Sequence, residues 1–216
     1  MEEKVILFQG DSITDCGREK ENNSHNGRGY AHLTEAYLKA SEPYTFTCYN
    51  RGIGGNRVVD LYARIKKDMI NLKPDYISIL IGINDIWHEY TRQNGVDAEK
   101  FEMVYGLIIE EVKKALPDVK IMLLEPFVLP GTATVTDEER PGRWEYFSSQ
   151  IVVRQQAVRR LAEKYDLVFV PLQEMFDRVN ENAPMGYWLQ DGVHPTPAGH
   201  ELIKNEWLKG FEKLRA

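Results

Sequence analysis

A doubly wound α/β sheet is the fold this sequence predicts, and three observations predict it. Five short β-type runs recur along the 216 residues, and most are continuously apolar rather than alternating, as strands covered on both faces are. Amphipathic helical patterns separate them, and strands alternating with helices imply a parallel sheet with right-handed crossovers. Hydrophobic residues make up 43% and charged residues 28% of the chain, a globular balance that argues against disorder and against a coiled coil.

The runs are Val5 to Phe8, Tyr44 to Tyr49, Tyr76 to Ile81, Val119 to Leu124 and Leu167 to Val170. After the second, Val58, Leu61, Tyr62, Ile65, Met69 and Leu72 follow helical spacing and predict one continuous helix. Phe101, Val104, Tyr105, Ile108 and Val112 predict another, with Asp97 as its cap. Ile151, Val158, Leu161, Ala162 and Tyr165 make a third apolar face. The last helix has Thr196 as cap, Pro197 at its first position, and Ile203, Trp207 and Phe211 facing inward. The expected order is β-α-β-α-β-α-β-α-β-α. Phe127 to Arg143, with Pro130, Gly131, Pro141 and Gly142, is the longest irregular stretch. Such a segment reads equally as a site wall or lid and as a surface excursion.

Length predicts one domain, residues 1–216. No apolar run approaches the ~18 residues of a membrane span. A net charge of −6 without a basic patch speaks against nucleic acid as a partner. Two cysteines, Cys16 and Cys48, exclude a disulfide scaffold and a Cys-rich zinc site. The start of the chain lacks the pattern of a signal peptide. The expectation is a reduced, cytoplasmic protein with no membrane partner.

In open α/β sheets the site lies at the carboxyl ends of the strands, and four segments place reactive side chains there. The first strand runs into Gly10-Asp11-Ser12-Ile13-Thr14, which is not the Gly-x-Ser-x-Gly elbow because Thr14 replaces the second glycine. By themselves Asp11 and Ser12 read equally as turn and cap residues. The second strand leads into Asn50-Arg51-Gly52-Ile53-Gly54-Gly55-Asn56, a glycine-rich turn without the signature of a phosphate loop. The third ends in Gly82-Ile83-Asn84-Asp85, where a neutral amide donor suits a developing oxyanion; Asn-Asp pairs also fill ordinary turns. In Asp191-Gly192-Val193-His194-Pro195 an acid stands three residues before a histidine, close enough to hold its ring. Together they supply a hydroxyl, an imidazole, an orienting carboxylate and oxyanion donors, a complete set for acyl transfer.

These four blocks, in this order and spacing, resemble the SGNH hydrolases, or GDSL esterases, across essentially the whole chain. The resemblance implies a flavodoxin-like three-layer αβα sandwich with a five-stranded parallel sheet. It implies Ser12 as nucleophile, His194 as base and then acid, and Asp191 as the group orienting His194. It implies an oxyanion hole of the Ser12 and Gly55 backbone N–H groups and the Asn84 side chain, with no metal or organic cofactor. Gly55 is preferred to Gly54 because the family glycine directly precedes an Asn or Asp, here Asn56. The runs from Gly10 to Arg18, from Ile81 to Trp87, and Pro126-Phe127 are similar to intracellular acetylxylan esterases. They imply a small acetylated carbohydrate as substrate, and a homo-oligomer is consistent with that branch. Substrate contact is expected from Asp11, Trp87 and Trp188. Another SGNH specificity (lysophospholipase, thioesterase or aryl esterase) is the alternative, and a non-catalytic carbohydrate-binding protein is a third reading. His200 is expected on a helix surface, and Cys16 as a loop thiol rather than a nucleophile.

Overall fold

The computed structural model describes residues 3–216. Its sheet has five parallel strands, β1 (Lys4–Gly10), β2 (Phe46–Asn50), β3 (Tyr76–Leu80), β4 (Lys120–Leu124) and β5 (Val168–Val170), in the order β2-β1-β3-β4-β5. The chain steps outward from β1 to β2, then crosses back to β3. The switch point lies between β1 and β3, the position where such sheets open a crevice for a ligand.

Side chains alternate between two cores, as the period of two in a strand requires. Ile6, Phe8, Leu80, Met122 and Leu124 face one side, while Leu7, Ile77, Ile79, Ile121 and Leu123 face the other. Helices α2 (Tyr30–Ser41) and α9 (Pro197–Arg215) cover the first face, and α3 (Val58–Ala63), α6 (Ala98–Ala115) and α7 (Arg143–Tyr165) the second. Ile203, Trp207 and Phe211 of α9 are completely buried, as their spacing predicts; a fully buried side chain of the Ile or Phe type contributes roughly 1.5–3 kcal/mol. Asp97 caps α6 by accepting from the Lys100 N–H, and the Thr196 hydroxyl caps α9 by accepting from the Gly199 N–H.

Several boundaries differ from the sequence reading. The second strand starts at Phe46 because Tyr44 adopts a φ of +63°, which no strand accommodates. The continuous helix expected over 58–72 is broken into α3, α4 (Ile65–Asp68) and a 3₁₀ turn, Ile70–Leu72. Arg64, at the break, turns its side chain inward to bond backbone carbonyls. The Gly82-Asp85 block is no simple turn: Ile83 opens helix α5 (Ile83–Arg92). Helix α8 (Gln173–Asn180) was likewise absent from the helical patterns. The 151–165 pattern is the C-terminal part of α7, which starts at Arg143.

Candidate active site

The loop that carries Ser12 is a direct product of β1. Asp11 caps the single-turn helix α1 (Ser12–Asp15) through the Ile13 N–H, and its carboxylate accepts at 2.9 Å. Ser12 thus leaves the sheet at the first residue of a helix, where its own backbone N–H has no carbonyl to bond.

Ser12 Oγ stands 3.0 Å from His194 Nε2, and His194 Nδ1 stands 2.7 Å from Asp191 Oδ2. A carboxylate only accepts, so His194 Nδ1 carries a proton and Nε2 is left to accept from Ser12. The other Asp191 oxygen accepts from the Val193 and His194 N–H groups, each at 2.9 Å. Partial burial pushes the Asp191 carboxyl up, but the ring and the two backbone donors outweigh it and hold it at about 2. The Asp191 bond raises His194 above the usual imidazole value, against its own desolvation.

The loop carrying Asp191 is built on the irregular segment between β4 and α7. Leu129 N–H donates to the Gly192 carbonyl and Ala133 N–H to the Asp191 carbonyl, at 2.9 and 3.0 Å. Gly192 adopts a φ of +98°, and a methyl group there would stand 2.4 Å from Thr134 Oγ1. Thr134 is fully buried, donates to the Leu129 carbonyl and accepts from the Gly131 N–H. Phe127, Val128 and Leu129 lie in the core. This part of the segment is therefore a fixed support for the Asp191 loop. Gly131, Thr134 and Gly192 were missed as site residues. Their only sequence signal was two glycines lying far apart in the chain.

On the other side of Ser12 runs the glycine-rich turn, residues 50–56. A methyl group on Gly54 would come 3.7 Å from Ser12 Cβ. Gly54 N–H donates to Asp15 Oδ2 at 3.1 Å, whereas the Gly55 N–H has no acceptor among the described residues. Asn84, in the first turn of α5, donates through Nδ2 to the Asn56 carbonyl at 3.2 Å, and its second amide hydrogen has no acceptor among the described residues. Among the described residues, the Ser12 N–H, the Gly55 N–H and one hydrogen of Asn84 Nδ2 have no acceptor.

The residues expected to touch substrate do not line the cavity at Ser12. Asp11 is 1% exposed; it backs the nucleophile rather than facing a ligand. Burial pushes its carboxyl up to about 7, against the Ile13 bond and the nearby His194. Trp87 packs on Phe147 with the Arg143 guanidinium 5.5 Å from its ring centre. Trp188 donates its indole N–H to the Val179 carbonyl and lies edge-on to Tyr187. Neither tryptophan lines the cavity of about 500 Å³ that contains Ser12 and His194; its other walls include Ile13, Cys16, Arg28, Gln190, Pro195 and Pro197. A separate cavity of about 530 Å³, around Trp144, Gln173 and Asp177, holds none of the reactive groups.

His200 is not on the helix surface. It is 4% exposed, its Nδ1 accepts from the Tyr30 N–H at 3.1 Å, and its Nε2 lies 3.2 Å from Cys16 Sγ. An Nδ1 that accepts leaves the proton on Nε2, so this imidazole has no free lone pair to take a proton from the thiol. Burial lowers His200 to about 4 and raises the Cys16 thiol. Cys16 thus faces a nitrogen that cannot accept its proton, unlike Ser12, which faces the accepting Nε2 of His194.

Comparison with known proteins places these observations in a family. The chain is 35% identical to the acetylxylan esterase of Geobacillus stearothermophilus, over 98% of this chain and 96% of that protein. The crystal structure of Axe2, an acetylxylan esterase from that organism, superposes with a TM-score of 0.82 at 33% identity, covering 96% of this chain and 93% of that one. Structures described as catalytic mutants of Axe2 carry alanine in place of a serine, an aspartate and a histidine, the three residue types joined here. LAE5, an alpha/beta hydrolase enzyme from the metagenome of Lake Arreo, matches with a TM-score of 0.83 at 30% identity over 99% of this chain and 97% of that one. Residues 8–202 match the model of the GDSL-like lipase/acylhydrolase family, and the chain belongs to that family.

Proposed function

We propose that this carboxylic ester hydrolase removes acetyl groups from small carbohydrate esters such as acetylated xylo-oligosaccharides, through a Ser12 acyl-enzyme. The observation that carries the mechanism is the unbroken hydrogen-bonded chain from Ser12 Oγ through His194 to Asp191. Ser12 Oγ attacks the acetyl carbonyl carbon as its proton passes to His194 Nε2. Asp191 stabilises the imidazolium so formed. Ser12 N–H, Gly55 N–H and Asn84 Nδ2 receive the oxyanion of the tetrahedral intermediate, a kind of interaction worth about 3–4 kcal/mol of barrier per donor. The C–O bond to the sugar then breaks, and His194 returns the proton to the leaving sugar oxygen. Water, deprotonated by the same histidine, attacks the acetyl-enzyme and releases acetate and free Ser12.

The acetyl-sugar specificity is supported by the acetylxylan esterase relative and by the mixed walls of the cavity, where the Arg28 and Gln190 side chains offer donors that a fatty chain does not use. The test is initial rates on para-nitrophenyl esters from acetate to octanoate and on acetylated xylo-oligosaccharides, with wild type and Ser12→Ala side by side. Activity falling steeply beyond acetate, present on the sugar and abolished in the mutant, is expected. A preference for longer chains would sink the acetyl-sugar reading and leave the serine mechanism standing.

A further inference from the structure

We propose that Arg64 is a positioning residue for the oxyanion hole, acting through residues 51–56. The inference rests on the oxyanion donors assigned above. Arg64 occupies the break between α3 and α4. The break carries its side chain off the helix surface, leaving the guanidinium chain only 13% exposed. Its Nε donates to Asn56 Oδ1 at 2.8 Å, Nη1 to the Arg51 carbonyl at 2.8 Å, and Nη2 to the Gly10 carbonyl at 3.2 Å. Asp68 Oδ2 accepts from Nη1 at 3.1 Å and balances the charge.

Those three acceptors define the site's frame. Arg51 and Asn56 bracket the turn that carries Gly55. Gly10 is the last residue of β1, two positions before Ser12. Asn56 is gripped on both sides, its side chain by Arg64 and its backbone carbonyl by Asn84 Nδ2. One planar cation thereby ties together two of the three chain segments that supply the oxyanion donors and reaches the third, that of Asn84, through Asn56. A fork with donors in fixed directions can do this, whereas an ammonium is a single point. Preorganisation of this kind acts on the transition state and not on the resting ester.

The experiment measures kcat and KM on para-nitrophenyl acetate for Arg64→Gln, Arg64→Lys, Asn84→Ala and the Arg64→Gln/Asn84→Ala double variant, with thermal unfolding of each. Arg64→Gln is expected to lower kcat about 10²-fold, the scale of one oxyanion donor, with KM within about threefold. Arg64→Lys should fall between it and wild type. The double variant should be little slower than Asn84→Ala alone, because groups acting as a unit are not additive. A residue serving stability alone would lower the unfolding temperature and leave kcat of the folded fraction intact. If Arg64→Gln does not fold, Asn56→Ala removes one Arg64 acceptor and keeps the buried ion pair; about a 10-fold loss in kcat is then expected. Unchanged kcat in the folded Arg64 or Asn56 variants, or full additivity with Asn84→Ala, overturns the proposal while leaving the oxyanion assignment intact. Unchanged kcat in Asn84→Ala overturns both.

Discussion

Gly131 packs against the peptide bond between Asp191 and Gly192 so closely that a methyl group on it would stand 2.2 Å from the Asp191 carbonyl carbon. The contact is backbone on backbone, so no side-chain rotation can relieve it. It ties the segment after β4 to the loop that carries both Asp191 and His194.

Gly131→Ala is therefore expected to displace the Asp191–His194 loop and lower kcat by at least about 10²-fold, since misplacement by about 1 Å has that cost. Steady-state kinetics on para-nitrophenyl acetate checks this. A crystal structure of the variant should show the Ser12–His194 distance lengthened from 3.0 Å.

The pH dependence of kcat/KM follows from the His194 charge. The base must be neutral to accept the Ser12 proton, so activity rises with pH through the His194 pKa. Asp191 raises that pKa, so the acid limb should lie above the usual imidazole value near 6.5. In Asp191→Asn the limb should move to lower pH while kcat falls by orders of magnitude. A limb that stays in place would show that another group controls it.

Two buried carboxyls act on stability in the opposite sense to a salt-bridged acid. Burial raises Asp11 to about 7 and Asp85 to about 8, from 3.8 for each when exposed. The folded chain holds these protons more tightly, so their contribution is fully present below about pH 4 and is lost as pH rises through 7 and 8. Unfolding free energy from urea titrations should decline across this window, by order of a few kcal/mol. Asp85→Asn, which keeps an acceptor for the Val58 N–H, should flatten the decline.

Replacement of His200 tests a contact made entirely in the interior. His200→Leu leaves the Tyr30 N–H without its acceptor, and an unsatisfied buried donor costs about 1–3 kcal/mol. Urea unfolding should report that loss. Because His200 Nε2 is already protonated in its bond geometry, the variant should retain the acid limb of the pH profile set by His194.

Much of this protein was legible in its sequence, for physical reasons that can be named. Continuously apolar runs mark β1, β3 and β4 as strands buried on both faces, because there alternation is suppressed, whereas the edge strand β2 alternates. Asp97, Thr196 and Pro197 mark helix starts, because capping is a local bond. Ser12, Asn84, Asp191 and His194 carry their chemistry in their side chains, and strand ends are where such groups collect. The tertiary structure decided whatever depends on contacts between distant backbones. It broke the 58–72 helix at Arg64, because the carbonyls of Gly10 and Arg51 accept from that guanidinium. It buried Asp11 and His200, kept Trp87 and Trp188 out of the cavity at Ser12, and committed the Gly54 N–H to Asp15 while leaving that of Gly55 without an acceptor among the described residues. It turned an irregular segment into a support for the Asp191 loop, because Gly131 and Gly192 let two backbone segments meet without side chains between them. Periodicity and composition carry no trace of such meetings, since each joins residues that only the fold brings together.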